Sequence, residues 1–144
     1  MHGCYTRLYD KFLLTNNNDR IIGQRNYSGR QGGRPTKEFL SNGKYLFWVA
    51  SEAANQGEHK KALDYLEQVL TTNPNHAMAW HVQGNCLDCL GQYEEAVRSY
   101  DISLKLDPGN ADTLFDKGLT LKKLGREIDS QYCMEMAVKI ALGD

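Results

Sequence analysis

Two of the four cysteines, Cys86 and Cys89, have the C-x-x-C spacing that zinc sites and thiol redox centres use. The sequence contains no second C-x-x-C, and the residues around this one have helical periodicity, with no strand before them. We therefore predict that both sulfurs pack within a helix, and we keep metal or redox use as the alternative. Cys133 is also predicted in a helix, and Cys4 precedes the helical region. Free thiols throughout favour a reducing, intracellular compartment.

The histidines and one glycine-rich run are the other candidates for chemistry. The four histidines, His2, His59, His76 and His81, are dispersed. We expect His59 and His76 in solvated turns, and His81 on a helix as a polar group that faces a ligand. Residues 29–34 are rich in glycine and arginine but follow no strand, so we predict a flexible cationic linker rather than a phosphate loop. Interleaved aromatic residues and a folded basic face are missing, which disfavours nucleic-acid binding.

Catalytic motifs are absent from the sequence. It has no phosphate-cradling glycine loop, no H-E-x-x-H pair and no nucleophile elbow. We therefore predict a non-enzymatic protein with no cofactor and no metal. No apolar run is long enough to span a bilayer, and the first residues do not have the pattern of a secretory leader. The expected location is cytoplasmic, without membrane contact.

The charge distribution divides the chain in two. The net charge is only −1, but residues 1–42 carry seven Lys or Arg against three Asp or Glu. The counts for residues 43–144 are ten against fifteen. A basic segment beside an acidic one favours docking between them or separate recognition of the basic segment.

A repeat of 34 residues dominates the chain, and it is clearest at Gly57, Gly91 and Gly125. It divides the sequence into blocks 43–76, 77–110 and 111–144, with no gap. The other aligned columns, read one residue per block, are Leu46, Trp80 and Leu114; Ala50, Gly84 and Gly118; Ala53, Leu87 and Leu121; Ala62, Ala96 and Ser130; Leu66, Tyr100 and Met134; and Leu70, Leu104 and Val138. Self-similarity at this period predicts a stack of similar helical units.

Each block has the pattern of two helices. In the second block, apolar residues spaced three and four apart run from Trp80 up to Gly91, where a residue able to take positive φ is needed past the last helical turn. A second amphipathic run begins at Tyr93 and stops before Pro108, which cannot continue a helix. We therefore predict an all-α fold built from antiparallel helix pairs joined by tight turns.

These residues resemble a known family, the tetratricopeptide repeat. The matching positions in block two are Trp80, Gly84, Leu87, Gly91, Tyr93, Ala96, Tyr100 and Pro108. The sequence departs from the family at Gln83 and Lys117, where a leucine is usual, and at Ser130 and Leu142, where alanine and proline are usual. The resemblance covers 43–144 and implies a right-handed α-solenoid whose first helices line a concave face.

The resemblance also implies a function, which is to bind a protein or peptide segment in that concave groove. The groove residues that it implies are Lys44, Phe47, Ser51, Ala54, Met78, His81, Asn85, Asp88, Asp112, Phe115, Leu119 and Lys122. We expect the amide of Asn85 to hold a peptide backbone. The carboxylates of Asp88, Asp112 and Asp116 should favour a peptide that is poor in acidic residues.

One subclass of the family grips the carboxylate at a chaperone C-terminus with lysine, asparagine and arginine side chains. The corresponding positions here hold Phe47, Ser51, Val82, Asp112 and Asp116. None of them matches, and the two aspartates would repel a carboxylate. Chaperone-tail binding is therefore disfavoured.

The two ends of the chain carry further expectations. We expect residues 5–14 to form an amphipathic helix whose apolar stripe packs on the repeats or on a neighbour. The last helix is apolar on several sides, so we predict that it associates with a second copy through Met136 and Ile140, in a possible homo-oligomer. The main interpretation is an adaptor or scaffold. The alternatives are a structural self-association module that uses its exposed ends and, third, a regulatory subunit with an RNA-contacting tail.

Overall fold

The computed structural model describes residues 43–143, and that part of the chain consists of helices and short turns. Its helices, in chain order, are α1 Lys44–Asn55, α2 His59–Thr72, α3 Ala77–Cys89, α4 Tyr93–Leu106, α5 Ala111–Lys123 and α6 Glu127–Leu142. Successive helices pack as pairs, α1 with α2, α3 with α4 and α5 with α6, and α2 and α4 pack on the first helix of the next pair. The predicted solenoid of helix pairs is confirmed. The predicted helix at 5–14, the run at 29–34 and Cys4 lie outside the described residues.

The tight turn inside each pair is built around a glycine with positive φ. The φ angles of Gly57, Gly91 and Gly125 are 80°, 80° and 77°. At the second turn, the Gln92 N–H donates to the Leu87 carbonyl at 2.8 Å, and the other two turns have the equivalent bond. This backbone bond satisfies a carbonyl that the end of a helix leaves open. The predicted role of the glycine column is therefore confirmed.

The first helices of the second and third pairs are capped by side chains in one repeat column. The N–H of Ala79 donates to Nδ1 of His76 at 3.1 Å, and the N–H of Thr113 donates to Oδ1 of Asn110 at 3.0 Å. The His76 ring also packs against Phe47, with ring centroids 4.6 Å apart. The prediction that His76 is a solvated turn residue is wrong, because the ring is half-buried and serves as a helix cap.

A large residue faces a small one across each pair. In the second pair Tyr100 is fully buried, and a Cβ built on Gly84 would lie 2.5 Å from its ring. The first pair has Leu66, also fully buried, in the tyrosine column and Ala50 in the glycine column. The close approach that the small residues predicted is thus present, and in the second pair only glycine fits it.

Departures from the family pattern in the third pair have local partners. Ser130 is buried where alanine is usual, and its hydroxyl donates to the Gly118 carbonyl at 2.7 Å. Lys117, where leucine is usual, forms an ion pair with Asp101 of α4 at 2.6 Å. These side chains therefore replace part of the apolar packing with polar contacts between helices.

The cysteines occupy the helix-packing positions expected of them. Cys86 is fully buried in the core that α1, α2 and α3 share, and burial raises the pKa of its thiol to about 12. Cys89 is half-buried, and Cys133 is buried beside Val97 and Leu121. Within residues 43–143, no cluster of His, Cys, Asp or Glu has an arrangement that could hold a metal ion.

Hydropathy and length place one limit on the described helices. Between residues 43 and 143, none is both long enough and apolar enough to cross a bilayer.

Candidate functional site

The residues predicted to line the groove divide by exposure. Those exposed to solvent are Lys44, Phe115, Leu119 and Lys122, and those half-buried are Phe47, Ala54, Met78 and Asp112. Those buried are Ser51, His81, Asn85 and Asp88. The buried residues and the exposed residues contribute to the molecule in different ways.

His81 lies in a polar seam between α3 and α5. Its Nδ1 is hydrogen-bonded to the Thr113 hydroxyl, and its Nε2 lies 3.0 Å from Oδ2 of Asp116. The ring is only 2% exposed and also meets the Tyr100 ring edge-on. The expectation that His81 faces a ligand is therefore not met, because both ring nitrogens bond to α5.

Asp88 is the second element of this seam. One carboxylate oxygen accepts a hydrogen bond from the Thr120 hydroxyl at 2.7 Å. The other lies 2.6 Å from Nζ of Lys123, so a buried carboxylate is paired with a half-exposed ammonium group. Pairing of this kind is what keeps a buried carboxylate tolerable. Asp88 therefore joins α3 to α5 two turns below His81.

Asn85 and Ser51 bond within their own helix pairs. The Tyr100 hydroxyl donates to Oδ1 of Asn85 at 2.7 Å, and the Ser51 hydroxyl donates to the Phe47 carbonyl at 2.8 Å. The carbonyl oxygen of Asn85 is thus already used by the second helix of its own repeat. Asn85 is only 7% exposed, so the expectation that its amide holds a peptide backbone stays a prediction.

The electrostatics of the seam also change the expectation about ligand charge. Burial raises the pKa of Asp116; the hydrogen bond and charge of His81 oppose that rise, and the charges of Asp112 and Asp88 add to it. Because Asp88 and Asp116 are buried and bonded inside the chain, their carboxylates do not face a peptide. The argument for an acid-poor ligand therefore rests on Asp112 alone among the three.

Three of the exposed residues, Phe115, Leu119 and Lys122, form a short stripe on α5. Phe115 is 47% exposed and Leu119, one turn later, is 39% exposed. Asp112 precedes them and Lys122 follows at helical spacing, so one charge lies at each end of the apolar pair. An apolar centre with charged ends is suited to grip a few side chains of a peptide.

Thr113, Thr120 and Lys123 also belong to the seam, although the repeat pattern does not predict them there. A usable signal was present, since Thr113 follows His81 by 32 residues, the same separation as Thr120 from Asp88. Two pairs of polar residues with the same separation, close to the repeat length, predict that successive first helices contact each other through these side chains. Repeat alignment alone does not reveal this, because it compares residues in one column rather than residues that meet.

A second surface lies on the last helix. Its exposed large apolar residues are Ile128, Tyr132, Val138 and Leu142. The side of α6 that carries Ile128 and Val138, together with Lys122 of α5, lines an open cavity of about 650 Å³. The predicted contact residues Met136 and Ile140 are half-buried and do not line this cavity. Their self-association role stays a prediction.

Comparison with known proteins identifies the repeats. A sequence profile described as the tetratricopeptide repeat matches residues 50–111, from the middle of α1 to the first residue of α5. The chain belongs to the tetratricopeptide repeat family. An uncharacterized protein of Methanocaldococcus jannaschii is 34% identical over 59 residues, a match that covers 41% of this chain and 69% of that protein.

Solved structures with tetratricopeptide repeats have the same fold. MamA superposes with a TM-score of 0.70 at 20% identity, covering 95% of this chain and 86% of that one. YrrB, described as a tetratricopeptide repeat protein with an unusual peptide-binding site, superposes with a TM-score of 0.65 at 25% identity. That match covers 69% of this chain and 52% of YrrB. Tetratricopeptide repeats of this kind form protein-interaction modules.

Proposed function

We propose that this chain is a non-enzymatic adaptor or scaffold that binds a peptide segment of a partner protein across the first helices of its repeats. The observation that carries the proposal is the exposed pair Phe115 and Leu119 on α5. Exposed aromatic and aliphatic side chains on a rigid helix are the usual anchors of a protein interface. The peptide-binding site described for the similar protein YrrB supports the same assignment.

The seam beneath this stripe supplies rigidity. His81 and Asp88 bond to α5 at both ends of its exposed face, so α5 is held against α3 before a peptide arrives. A surface that is already ordered loses little conformational freedom on binding. The proposal therefore assigns the buried polar residues to positioning and the exposed ones to contact.

Ligand chemistry follows from the side chains that face outward. Phe115 and Leu119 offer exposed apolar contact and the half-buried Phe47 and Met78 offer less of it, while Lys122 and Asp112 bracket the stripe on α5. We expect a peptide with apolar residues at its centre and one charge of each sign near its ends. Its site of action is proposed to be the cytoplasm, since Cys86, Cys89 and Cys133 are free thiols.

Peptide selection followed by mutation tests the proposal. Peptides would be selected from a random displayed library on the wild-type chain, and their affinity for variants measured by fluorescence anisotropy. Replacement of Phe115 and Leu119 together by alanine should weaken binding by about 1 kcal/mol or more, because both anchors are lost. Circular dichroism should show unchanged helix content, since both side chains are exposed.

Leu106 provides a matched control. It is 38% exposed at the end of α4, which is a second helix of a pair, so Leu106→Ala removes about as much exposed side chain as Leu119→Ala alone, away from the proposed site. Affinity should be unchanged in this control. Equal loss in the control and the double variant, or no loss in the double variant, would contradict groove binding.

A further inference from the structure

The outer part of α6 differs in chemistry from the same part of the preceding second helices. Ile128 is 85% exposed, while its repeat column holds the exposed charged residues Lys60 and Glu94 in α2 and α4. Tyr132 is 63% exposed where α2 and α4 have Asp64 and Arg98. Apolar residues replace charges at exposed positions of this helix, which is typical of an interface.

The cavity-lining stripe of α6 has a second property. Its side chains are complementary to those of an identical helix that runs in the opposite direction. Glu127 and Lys139 lie at equal distances before and after Cys133, and so do Ile128 and Val138. These four residues line the cavity, and Cys133 does not. When such a helix is laid antiparallel against its own copy, each glutamate meets a lysine and each isoleucine meets a valine.

The polar residues nearer the centre of the stripe follow the same pattern. Gln131 and Glu135 are also equidistant from Cys133, and within the chain Nε2 of Gln131 donates to Oε1 of Glu135 at 2.9 Å. In the antiparallel arrangement each glutamine would face the glutamate of the other copy. Amide and carboxylate are complementary as donor and acceptor.

We propose that this face of α6 binds a second copy of the chain, with the two α6 helices antiparallel about a two-fold axis that crosses this face at the level of Cys133, whose own side chain is buried in the core. A two-fold interface requires one patch to be complementary to itself, which is the property that the charges and apolar residues of this stripe have. Phe115 and Leu119 do not line this cavity, although Lys122, at the end of the proposed peptide stripe, lies at its edge.

Charge argues against the chain's own N-terminal segment as the occupant. The cavity is lined by Glu127, Glu135, Lys122 and Lys139, so its acidic and basic side chains are equal in number. Such a lining has no net attraction for residues 1–42, which carry seven basic against three acidic side chains.

Charge reversal tests the two-fold arrangement by sedimentation equilibrium on the whole chain. The wild type should dimerise. Lys139→Glu should raise the dissociation constant about tenfold, because both symmetry-related contacts become repulsive, and Glu127→Lys should do the same. An equimolar mixture of these two variants should form a heterodimer of nearly wild-type affinity, since every lysine then meets a glutamate. The double variant should also recover.

Controls on α4 separate this effect from helix destabilisation. Glu95→Lys and Lys105→Glu reverse charges in the first and last turns of α4 and should leave the dissociation constant unchanged. A wild-type monomer at millimolar concentration would overturn the proposal, as would a dimer that the reversals do not weaken. If the single variants dimerise more weakly and their mixture does not recover, the two copies use a different contact. If the chain dimerises only after residues 1–42 are removed, that segment is what covers this face. Either of these results also overturns the proposal.

Discussion

Gly84 shows how one missing side chain sets the packing of a helix pair. A Cβ at this position would lie 2.5 Å from Cε1 of Tyr100, whose ring is fully buried and whose hydroxyl is bonded to Asn85. The ring therefore has no room to retreat. The same column in the first pair tolerates Ala50 because its facing residue is the shorter Leu66.

We expect Gly84→Ala to lower the free energy of unfolding by about 1–3 kcal/mol through overpacking. This net loss should persist although alanine favours a helix interior by about 1 kcal/mol over glycine. Chemical denaturation measures the change, and Gly109→Ala, whose new Cβ would have no atom closer than 4.0 Å, is the control. Adding Tyr100→Leu recreates the pair Ala50 and Leu66, so the double variant should be more stable than the sum of the single effects predicts. If the effects of the two substitutions on stability were strictly additive, the Tyr100 ring would not be what excludes a side chain at position 84.

His76 makes stability depend on pH. Its Nδ1 accepts the Ala79 N–H, a role that only the unprotonated nitrogen can fill, and burial lowers the pKa of the ring. A depressed pKa in the folded state means that the contribution is complete above the unfolded pKa of about 6.5 and is lost as pH falls through the folded value.

On acidification we expect the free energy of unfolding to fall by about 1 kcal/mol, which is the usual contribution of a helix N-cap. His76→Asn is the matched variant, because Asn110 caps α5 from the same repeat column without titrating. Unfolding followed at several pH values should show the two chains diverging below neutrality. Burial also lowers the pKa of His59. Both chains contain His59, so its effect on stability cancels in the comparison. Parallel pH profiles would show that the His76 cap does not titrate in this range.

At the scale of helices, the polar seam determines how α5 is held. The Thr120 hydroxyl donates to Asp88 at 2.7 Å in a site where the carboxylate is buried. Thr120→Val keeps the shape of the side chain and removes the donor, so the buried carboxylate of Asp88 loses this hydrogen bond. We expect a loss of about 1–3 kcal/mol in the free energy of unfolding and faster hydrogen exchange in α5.

Thr71→Val is the matched control, since that hydroxyl bonds only to the Glu67 carbonyl of its own exposed helix face. It should change stability by less than about 0.5 kcal/mol, as most exposed substitutions do. If both variants lost the same stability, the β-branched replacement rather than the seam would be responsible.

The helices could be predicted from sequence because their signals are local. The turn glycines and the prolines act within a few residues. The glycine signal recurs in all three blocks, and the proline signal follows the second helices of the first two. The seam could not be predicted in this way. Whether His81 faces solvent or α5 depends on how successive first helices pack on each other, because its partners Thr113 and Asp116 lie 32 and 35 residues away in the chain. His76 was likewise assigned to solvent because the cap depends on the exact start of α3.

For the molecule as a whole, the two junctions between repeats differ in chemistry. The first junction is a continuous apolar core that runs through α1, α2 and α3 and includes Leu66, Ala79 and Cys86. The second has a smaller apolar cluster around Val97 and Leu121, and beside it the polar seam between α3 and α5. In a repeat stack each junction couples only its two neighbours, so the couplings need not be equal.

This difference gives the two junctions different heat capacities. Exposure of apolar surface raises the heat capacity of opening, and exposure of polar surface lowers it. The coupling through Leu66 and Cys86 therefore weakens on cooling, because its driving force is the release of water from apolar groups. The coupling through Asp88 and His81 depends little on temperature in this way, because it consists of polar contacts. Cooling thus shifts the balance of stability along the solenoid toward the junction that carries the proposed peptide-binding helix.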